Sequence, residues 1–284
     1  MDRLIRRHGF DVVHAHLTYD HWLARFVTGG GAPRLARTFH ARRVLRGDPF
    51  TRSLLRRTPL LFVVNDTFRN APVLDGRTAI FTPPPLDHAQ FSPKGADARA
   101  LQGIPHDVKL VTVIGKLSKG RGFEEALQTF AALRRMRADV RMMIIGHGEH
   151  RPTLEALVQS LGITYDVTFA GYHEDDLAEH YRASDLLLFT ARGSDEGHRA
   201  VLEAMACGVP VATYPIEGVD ALVGRELIAA QADPEALASL ASSLLDREQE
   251  ALRVAVWKRS QEFGYVRAAQ RLIEAYEAAP TLSS

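Results

Sequence analysis

Short apolar runs separated by polar and turn residues mark the first third of the chain. Residues 11–16 and 60–64 are short, rich in branched aliphatic side chains and bounded by polar residues, which predicts two buried parallel strands. Residues 34–40 form a weaker strand candidate between them. The pattern predicts part of a parallel sheet in this region.

A more regular alternation begins after residue 108. Strand-like runs at 109–114, 140–145, 167–170, 185–189 and 210–214 alternate with helix-like segments at 123–136, 151–161, 175–183 and 199–206. Residues 234–245 and 248–279 have the pattern of closing helices. This alternation predicts a doubly wound parallel sheet, in which ligands bind at the carboxyl ends of strands. The loops after residues 114, 145, 189 and 214 are therefore the expected sites of chemistry.

A proline-rich segment separates the two regions. Residues 81–93 contain four prolines, which cannot continue a helix or a central strand. We interpret residues 83–93 as a linker between a partial domain at 1–82 and a second domain at 94–262. Residues 263–284 are expected to form a C-terminal helix and tail, for which packing back on the first domain is one arrangement.

Composition narrows the class of protein. The chain has 284 residues, of which 46% are hydrophobic and 24% charged, and this excludes a disordered, collagen-like or coiled-coil protein. A single cysteine, Cys207, removes an intramolecular disulfide framework and does not support a cysteine-based zinc site. With no signal-peptide pattern and no apolar window of about 18 residues, we expect a cytoplasmic protein.

The charge distribution is uneven although the net charge is only +1. Residues 1–80 contain fourteen arginines and six aspartates but no lysine or glutamate, so the remainder is acidic. The densest stretch, residues 41–58, carries six arginines interleaved with apolar residues, which favours an anionic membrane surface or a phosphorylated acceptor. A solvated helical face is the plain alternative. Nucleic acid is not expected, because no binding-fold signature accompanies the charge.

The first candidate site is the loop at 115–122, which reads GKLSKGRG and follows a predicted strand. Glycines allow close backbone approach, and Lys116, Lys119 and Arg121 add positive charge at a helix N-terminus. The loop matches neither the Walker A pattern nor the dinucleotide fingerprint. We interpret it as a pyrophosphate site, although such turns also occur without a ligand.

The second candidate site is the segment 193–210, GSDEGHRAVLEAMACGVP, at a strand end and its following helix. Its ionised carboxylates can accept hydrogen bonds from sugar or ribose hydroxyls. Helix capping would explain Asp195 and Glu196 but not Glu203, which lies in an otherwise apolar helix. Cys207 is expected to be a small buried residue.

Together these motifs resemble the retaining glycosyltransferases of family 4, which have the GT-B fold. The 115–122 loop is similar to the family's GRLxxxKG element with the two cations exchanged, and residues 202–210 are similar to the end of its E-x7-E element. Residues 84–93, 11–16 and 39–40 also resemble family motifs in the same order. The resemblance implies two Rossmann-like doubly wound domains, of which the N-terminal one would be incomplete, because family members begin with about 80 further residues.

The resemblance also implies roles for particular residues. Lys116 and Arg121, with Gly115 and Gly148, would hold the diphosphate of a UDP- or GDP-linked sugar, and Glu203 would bind its ribose. Asp195 occupies the position of the first family glutamate, with Glu196 one residue out of register but still at the donor, and His16 would lie over the donor sugar. No cofactor and no metal are expected, since two cations already hold the phosphates. His14 is more simply interpreted as a strand-end histidine.

The expected activity is transfer of a sugar to an acceptor that is a lipid-linked or cell-envelope glycan, at the inner face of the membrane. Two other classes stay open: a non-catalytic nucleotide-sugar-binding scaffold, and a sugar-nucleotide epimerase of similar fold. Because an incomplete parallel sheet leaves an exposed edge, we also expect self-association or a partner chain.

Overall fold

The computed structural model describes residues 2–27, 33–191 and 198–278. The chain divides into two units. Unit 1 comprises residues 1–85 and 265–284, and unit 2 comprises residues 86–264. The chain passes from one unit to the other at Pro85–Leu86, inside the proline-rich segment, and returns at Gly264–Tyr265.

Unit 1 is a parallel sheet with helices on both faces. Its elements are α1 (Asp2–His8), β1 (Val12–Ala15), α2 (Thr18–Val27), β2 (Arg34–Phe39), α3 (Pro49–Arg56), β3 (Leu60–Val63), β4 (Ile80–Phe81) and α10 (Tyr265–Ala278). The strand order is β1-β2-β3-β4, and all neighbouring strands are parallel. Because side chains alternate across a strand, Phe39, Leu61 and Val63 pack on one face while Ala36, Leu60 and Phe62 pack on the other.

Different segments of the chain pack on the two faces of the unit 1 sheet. Leu55 of α3 and residues of the following loops close the first face. Ala275, Leu272 and Tyr276 of α10 close the second. The last helix of the chain therefore completes the core of the unit that contains the first strands.

Unit 2 is a five-stranded parallel sheet in the order β7-β6-β5-β8-β9. Its elements are β5 (Lys109–Ile114), α4 (Phe123–Met136), β6 (Val140–Ile145), α5 (Arg151–Ser160), β7 (Val167–Gly171), α6 (Leu177–Ala183), β8 (Leu186–Phe189), α7 (Arg199–Ala206), β9 (Val211–Thr213), α8 (Pro234–Asp246) and α9 (Gln249–Ser260). This is the doubly wound order predicted from the alternation of strands and helices. Its first and fourth strands, β5 and β8, are neighbours, so the order of the strands reverses between them.

One weak expectation is confirmed and two details differ from the sequence expectations. The weak strand candidate at 34–40 is β2, a buried central strand, because Leu35 and Phe39 supply one packed face and Ala36 the other. The helix expected from 175 begins at Leu177, with Asp176 as its N-cap residue. The closing segment 248–279 is two helices separated at Gly264, which connects the two units.

Candidate functional site

The loop at 115–122 follows β5, the central strand of unit 2. Leu117 in the middle of this loop is fully buried. Its backbone N–H donates to His147 O at 2.9 Å, and its own carbonyl accepts from His150 N–H at 3.0 Å. The turn is therefore fixed by its one apolar residue, while the flanking Lys116 and Lys119 are exposed.

Two glycines after β6 allow that close contact between loops. A Cβ at Gly146 would lie 1.8 Å from Gly115 O, and a Cβ at Gly148 would lie 2.1 Å from Leu117 O. Both obstacles are backbone atoms, so no side-chain rearrangement could relieve them. The packing of the two loops therefore requires glycine at position 148, and a role in binding the donor would be additional.

The cations of the 115–122 loop are available to bind an anion. In the described part of the chain, neither Lys116 nor Arg121 forms an ion pair. Glu124, in the first turn of α4, instead accepts a 2.6 Å hydrogen bond from His150 Nε2. Uncompensated cations beside a helix N-terminus form a site for an anion.

Glu203 lies in α7 with only 7% of its surface exposed. Its Oε1 accepts from Arg199 Nε at 2.8 Å, one helical turn earlier, and its Oε2 accepts from the Tyr181 hydroxyl at 3.0 Å. Tyr181 is in α6 and is fully buried. These two contacts fix the orientation of the Glu203 carboxylate.

The loop after β8 carries the predicted Asp195 and Glu196, which lie outside the described residues. Its two ends are tied to neighbouring loops. The Thr190 hydroxyl donates to Gly122 O at 2.6 Å, at the start of α4. His198 has a left-handed backbone, with φ of 50°, and its Nε2 donates to Glu217 O at 3.0 Å after β9. The loops after β5, β8 and β9 are thus connected by direct hydrogen bonds.

In unit 1, histidines gather at the carboxyl ends of β1 and β2. His16 and His40 are exposed, with 3.0 Å between His16 Nδ1 and His40 Nε2. His14 is held by Tyr276 and Thr38, at 2.6 and 2.8 Å from its two ring nitrogens. Burial lowers the pKa of His14 to about 4. His14 is therefore a neutral, structurally bonded ring at neutral pH, whereas His16 has an accessible edge.

A largely apolar cavity of about 400 Å³ adjoins these histidines within unit 1. A volume of this size is within the range of small-molecule sites, which is roughly 300–1,000 Å³. The cavity is lined by three histidines, two threonines, three prolines, one valine and three α10 side chains: His14, His16, Thr38, His40, Val64, Thr82, Pro83, Pro84, Pro85, Ala268, Leu272 and Tyr276.

Two parallel α/β units with these strand orders match solved glycosyltransferase structures. The structure of Anabaena Alr3699/HepE in complex with UDP has a TM-score of 0.79 at 18% identity, with 97% of this chain and 81% of that chain covered. A glycosyltransferase from Rickettsia africae gives a TM-score of 0.78 over 97% of this chain and 78% of that chain, at 17% identity. The chain has the GT-B fold with Rossmann-like domains.

The family model for glycosyl transferases group 1 matches residues 96–261. Because that match covers more than half of the sequence, the chain belongs to this family. A D-inositol 3-phosphate glycosyltransferase of Corynebacterium urealyticum is 27% identical over 98% of this chain and 74% of that protein. The enzyme of the same name from Mycolicibacterium smegmatis is 31% identical over 69% of this chain and 46% of its own length. The chain thus spans about half the length of some of its curated relatives.

Several site contacts were not predicted from the sequence. Tyr181 and Thr190 act through long-range contacts that no local motif indicates. Arg199 contacts Glu203 at the i,i+4 spacing of a helix, a local signal that was not used. Cys207 is fully buried, as expected, and burial raises its pKa to about 12. In the described residues no helix is long and apolar enough to cross a bilayer.

Proposed function

We propose that this chain is a retaining glycosyltransferase that moves a hexosyl group from a UDP- or GDP-linked sugar to an acceptor hydroxyl. The observation that carries the proposal is the pair Lys116 and Arg121, which form no ion pair among the described residues and lie in the loop after the central strand of unit 2. Solved structures of similar fold that contain UDP or UDP-glucose support the choice of donor.

The cations serve the leaving group. In the proposed reaction the bond between the sugar's anomeric carbon and the diphosphate oxygen breaks, and the acceptor oxygen bonds to the same face of that carbon. The acceptor proton passes to the departing diphosphate. Lys116 and Arg121 stabilise the charge that develops on the phosphate, which is where electrostatic catalysis is most effective.

The carboxylates position the donor. Glu203, oriented by Tyr181 and Arg199, is proposed to accept hydrogen bonds from the ribose hydroxyls. Asp195, eight residues before Glu203, is proposed to hold the transferred sugar, with Glu196 as a lesser donor contact. His16 stays a prediction as the catalytic histidine. Its exposed edge at the carboxyl end of β1 is compatible with contact to a sugar.

We propose the apolar cavity of unit 1 as the acceptor site. It lies at the carboxyl ends of parallel strands, where such folds bind ligands. Its apolar lining suits an acceptor with an apolar part, such as a lipid-linked glycan, and the exposed His16 and His40 supply polar contacts.

The arginine-rich segment is proposed to meet an anionic membrane surface or phosphate group. Asp48 caps α3, whose Leu54 and Leu55 are buried, so the second half of this segment is a packed helix that carries Arg52 and Arg56. Phe50 is 68% exposed, and a second cavity of about 410 Å³ beside it is lined in part by Trp22, Arg43 and Arg46. Aromatic rings with arginines are suited to a membrane interface.

Self-association of unit 1 is proposed on its sheet edge. Among the described strands β1 pairs only with β2, so its other edge presents backbone groups with no strand beside them. Such an edge is a template for pairing with another chain.

Calorimetry with UDP and GDP tests the donor site. Lys116→Ala should lose a charge-assisted contact of about 1.5–3 kcal/mol, which is roughly a 10- to 150-fold weaker affinity. Lys94→Ala, at an exposed lysine outside the loop, is the matched control and should bind as wild type. Equal binding by folded Lys116→Ala would refute the assignment. In a transfer assay, Asp195→Ala should be more damaging than Glu196→Ala.

A further inference from the structure

A cluster of two histidines and a carboxylate lies on the turn between β7 and α6, outside the residues assigned to the donor. His173, Asp176 and His180 each offer one ligand atom, and these three atoms lie within 4.8 Å of one another. The spacing of three and four residues brings the side chains together where a turn enters a helix.

The distances suit a small cation. His173 Nδ1 is 2.9 Å from one oxygen of Asp176 and 3.0 Å from the other. His180 Nδ1 is 3.8 Å from Asp176 Oδ2. Ligands around a tetrahedral zinc ion with bonds of about 2.0–2.1 Å are separated by about 3.3 Å. The separations from Asp176 lie on both sides of that value. The two imidazole rings are tilted against each other with 3.7 Å between their centroids, so a shared metal ion would require them to rotate apart.

The hydrogen bonds of His173 prepare its Nδ1 for a cation. Its Nε2 lies 3.1 Å from Ala170 O, a carbonyl that can only accept, so Nε2 carries a proton. In the neutral ring Nδ1 then presents a lone pair to the Asp176 carboxylate, which is also an acceptor. A proton or a metal ion must lie between them. Donation from the outer nitrogen to a backbone carbonyl is the usual support of a metal-binding histidine.

Asp176 is also unusual as an N-cap residue. Its side chain makes no capping hydrogen bond to α6 and is directed to His173 instead. An aspartate at this position normally accepts from the first backbone N–H groups of its helix. The cluster therefore accounts for an orientation that helix capping does not.

His180 can supply the third ligand once its proton moves and its ring rotates. Its ring is fully buried, with Nδ1 at 3.1 Å from Asp176 O and Nε2 at 3.1 Å from Gln102 Nε2. Because Asp176 O can only accept, Nδ1 carries the proton in this arrangement. Metal binding therefore requires that the proton move to Nε2, that the Gln102 amide turn so that its oxygen accepts it, and that the ring rotate away from Asp176 O. The side chains of His173 and Asp176 are 18% and 35% exposed, which leaves access for a fourth ligand such as water.

We propose that His173, Asp176 and His180 bind one divalent transition-metal ion, with zinc as the best fit, that fixes the turn between β7 and α6. Two imidazoles and one carboxylate are ligands that zinc accepts. The exposed Glu174 and Asp175 add negative charge around the site.

The turn that carries this cluster contacts the loop after β6, which packs against the proposed donor-binding loop. Gly171 O, at the end of β7, accepts from Gly146 N–H at 2.7 Å. The Tyr172 ring contacts the His147 ring edge-on, with 4.9 Å between centroids. A metal that fixes this turn would therefore also restrain the loop that holds Leu117.

Calorimetry with ZnCl2 alone, on the full chain after treatment with chelator, tests the proposal. We expect one zinc ion per chain and proton release on binding, because the ion replaces the proton between His173 and Asp176. Cobalt(II) in place of zinc should give the absorption bands of a tetrahedral centre. Zinc should also raise the apparent Tm in proportion to the logarithm of its concentration once saturated.

Two variants and one control make the result specific. His173→Asn and Asp176→Asn preserve size in partly exposed positions and should each weaken zinc binding at least roughly tenfold. His106→Asn, at an exposed histidine of the same unit, should bind as wild type. No zinc binding by the wild type, or equal binding by wild type, His173→Asn and Asp176→Asn, would overturn the proposal. Loss of binding in His106→Asn would also overturn it.

Discussion

The Tyr181 hydroxyl donates a 3.0 Å hydrogen bond to Glu203 Oε2, from α6 to α7. The ring of Tyr181 is fully buried, so the bond is shielded from water. A buried carboxylate is stable only when its oxygens have donors. The phenol is therefore a positioning residue for the carboxylate proposed to bind ribose.

Replacing Tyr181 by Phe should remove this donor without creating a cavity. We expect the free energy of unfolding to fall by about 1.5–3 kcal/mol, the usual value of a hydrogen bond to a charged group. UDP affinity should fall as well, because Glu203 is no longer held in position. Urea unfolding and calorimetry measure both, with Tyr165→Phe, at a 95% exposed tyrosine, as the control. Unchanged stability together with unchanged UDP binding would contradict the assigned role.

Replacing Gly146 by Ala should disrupt unit 2. The new Cβ would lie 1.8 Å from Gly115 O, a backbone atom that cannot move away without displacing the 115–122 loop. We expect a loss of more than about 2 kcal/mol in stability. Gly162→Ala shares the positive φ but has nothing within 4 Å, so it should cost only about 1–2 kcal/mol. Thermal unfolding compares the two, and similar losses would show that the collision is relieved at little cost.

Unit 1 should lose stability in mild acid. Burial lowers the pKa of His21 to about 3, and that of His14 to about 4. In the unfolded chain both have a pKa of about 6.5. Between those values the unfolded state binds more protons, so the free energy of unfolding falls as pH decreases from about 6.5 to about 4. Above about pH 6.5 these groups add no pH dependence.

A single tryptophan can follow this transition. Trp22 is in unit 1 and Trp257 is in unit 2, so Trp22 fluorescence in a Trp257→Phe background follows unit 1. His21→Gln cannot titrate and can still donate to the Thr58 hydroxyl, which lies 2.7 Å from His21 Nε2. Its stability should depend less on pH, whereas His106→Gln should behave as wild type. Identical pH profiles for His21→Gln and wild type would disprove the prediction.

The arginine-rich surface should bind anionic vesicles in a salt-dependent way. Each arginine near the bilayer contributes about 1 kcal/mol, an attraction that salt screens. In sedimentation, Arg43→Gln with Arg46→Gln should reduce binding, while Arg225→Gln with Arg247→Gln in unit 2 should not. Light scattering without vesicles should show association of the chain. A monomer that ignores anionic vesicles at low salt would contradict both proposals for unit 1.

Buried strands were readable from the sequence because parallel strands carry continuous apolar runs. β5 and β6 have the predicted bounds for this reason. Helix α10 of unit 1 was predicted, α1 and α2 were not, and α3 was anticipated only in the alternative of a helical face, although it carries a clear start signal. Asp48 followed by Pro49 is a helix start, and the Asp48 side chain accepts from Thr51 N–H.

Side-chain partners were beyond sequence reasoning for a physical reason. Glu203 stood out as the one carboxylate in an apolar helix, but its partner Tyr181 lies 22 residues earlier in another helix. Such pairs depend on how helices pack rather than on local spacing. The same holds for Gly146, where the backbone of the 115–122 loop leaves no room for a side chain.

The last helix has a consequence for how the protein is made. Ala275 packs against Ala36, Leu60 and Phe62, so the sheet of unit 1 lacks part of its core until α10 has been synthesised. Unit 2, at residues 86–264, is complete before α10 is synthesised. Because contacts between distant residues form late and chains fold domain by domain during synthesis, unit 2 is able to fold before the strands of unit 1 that precede it.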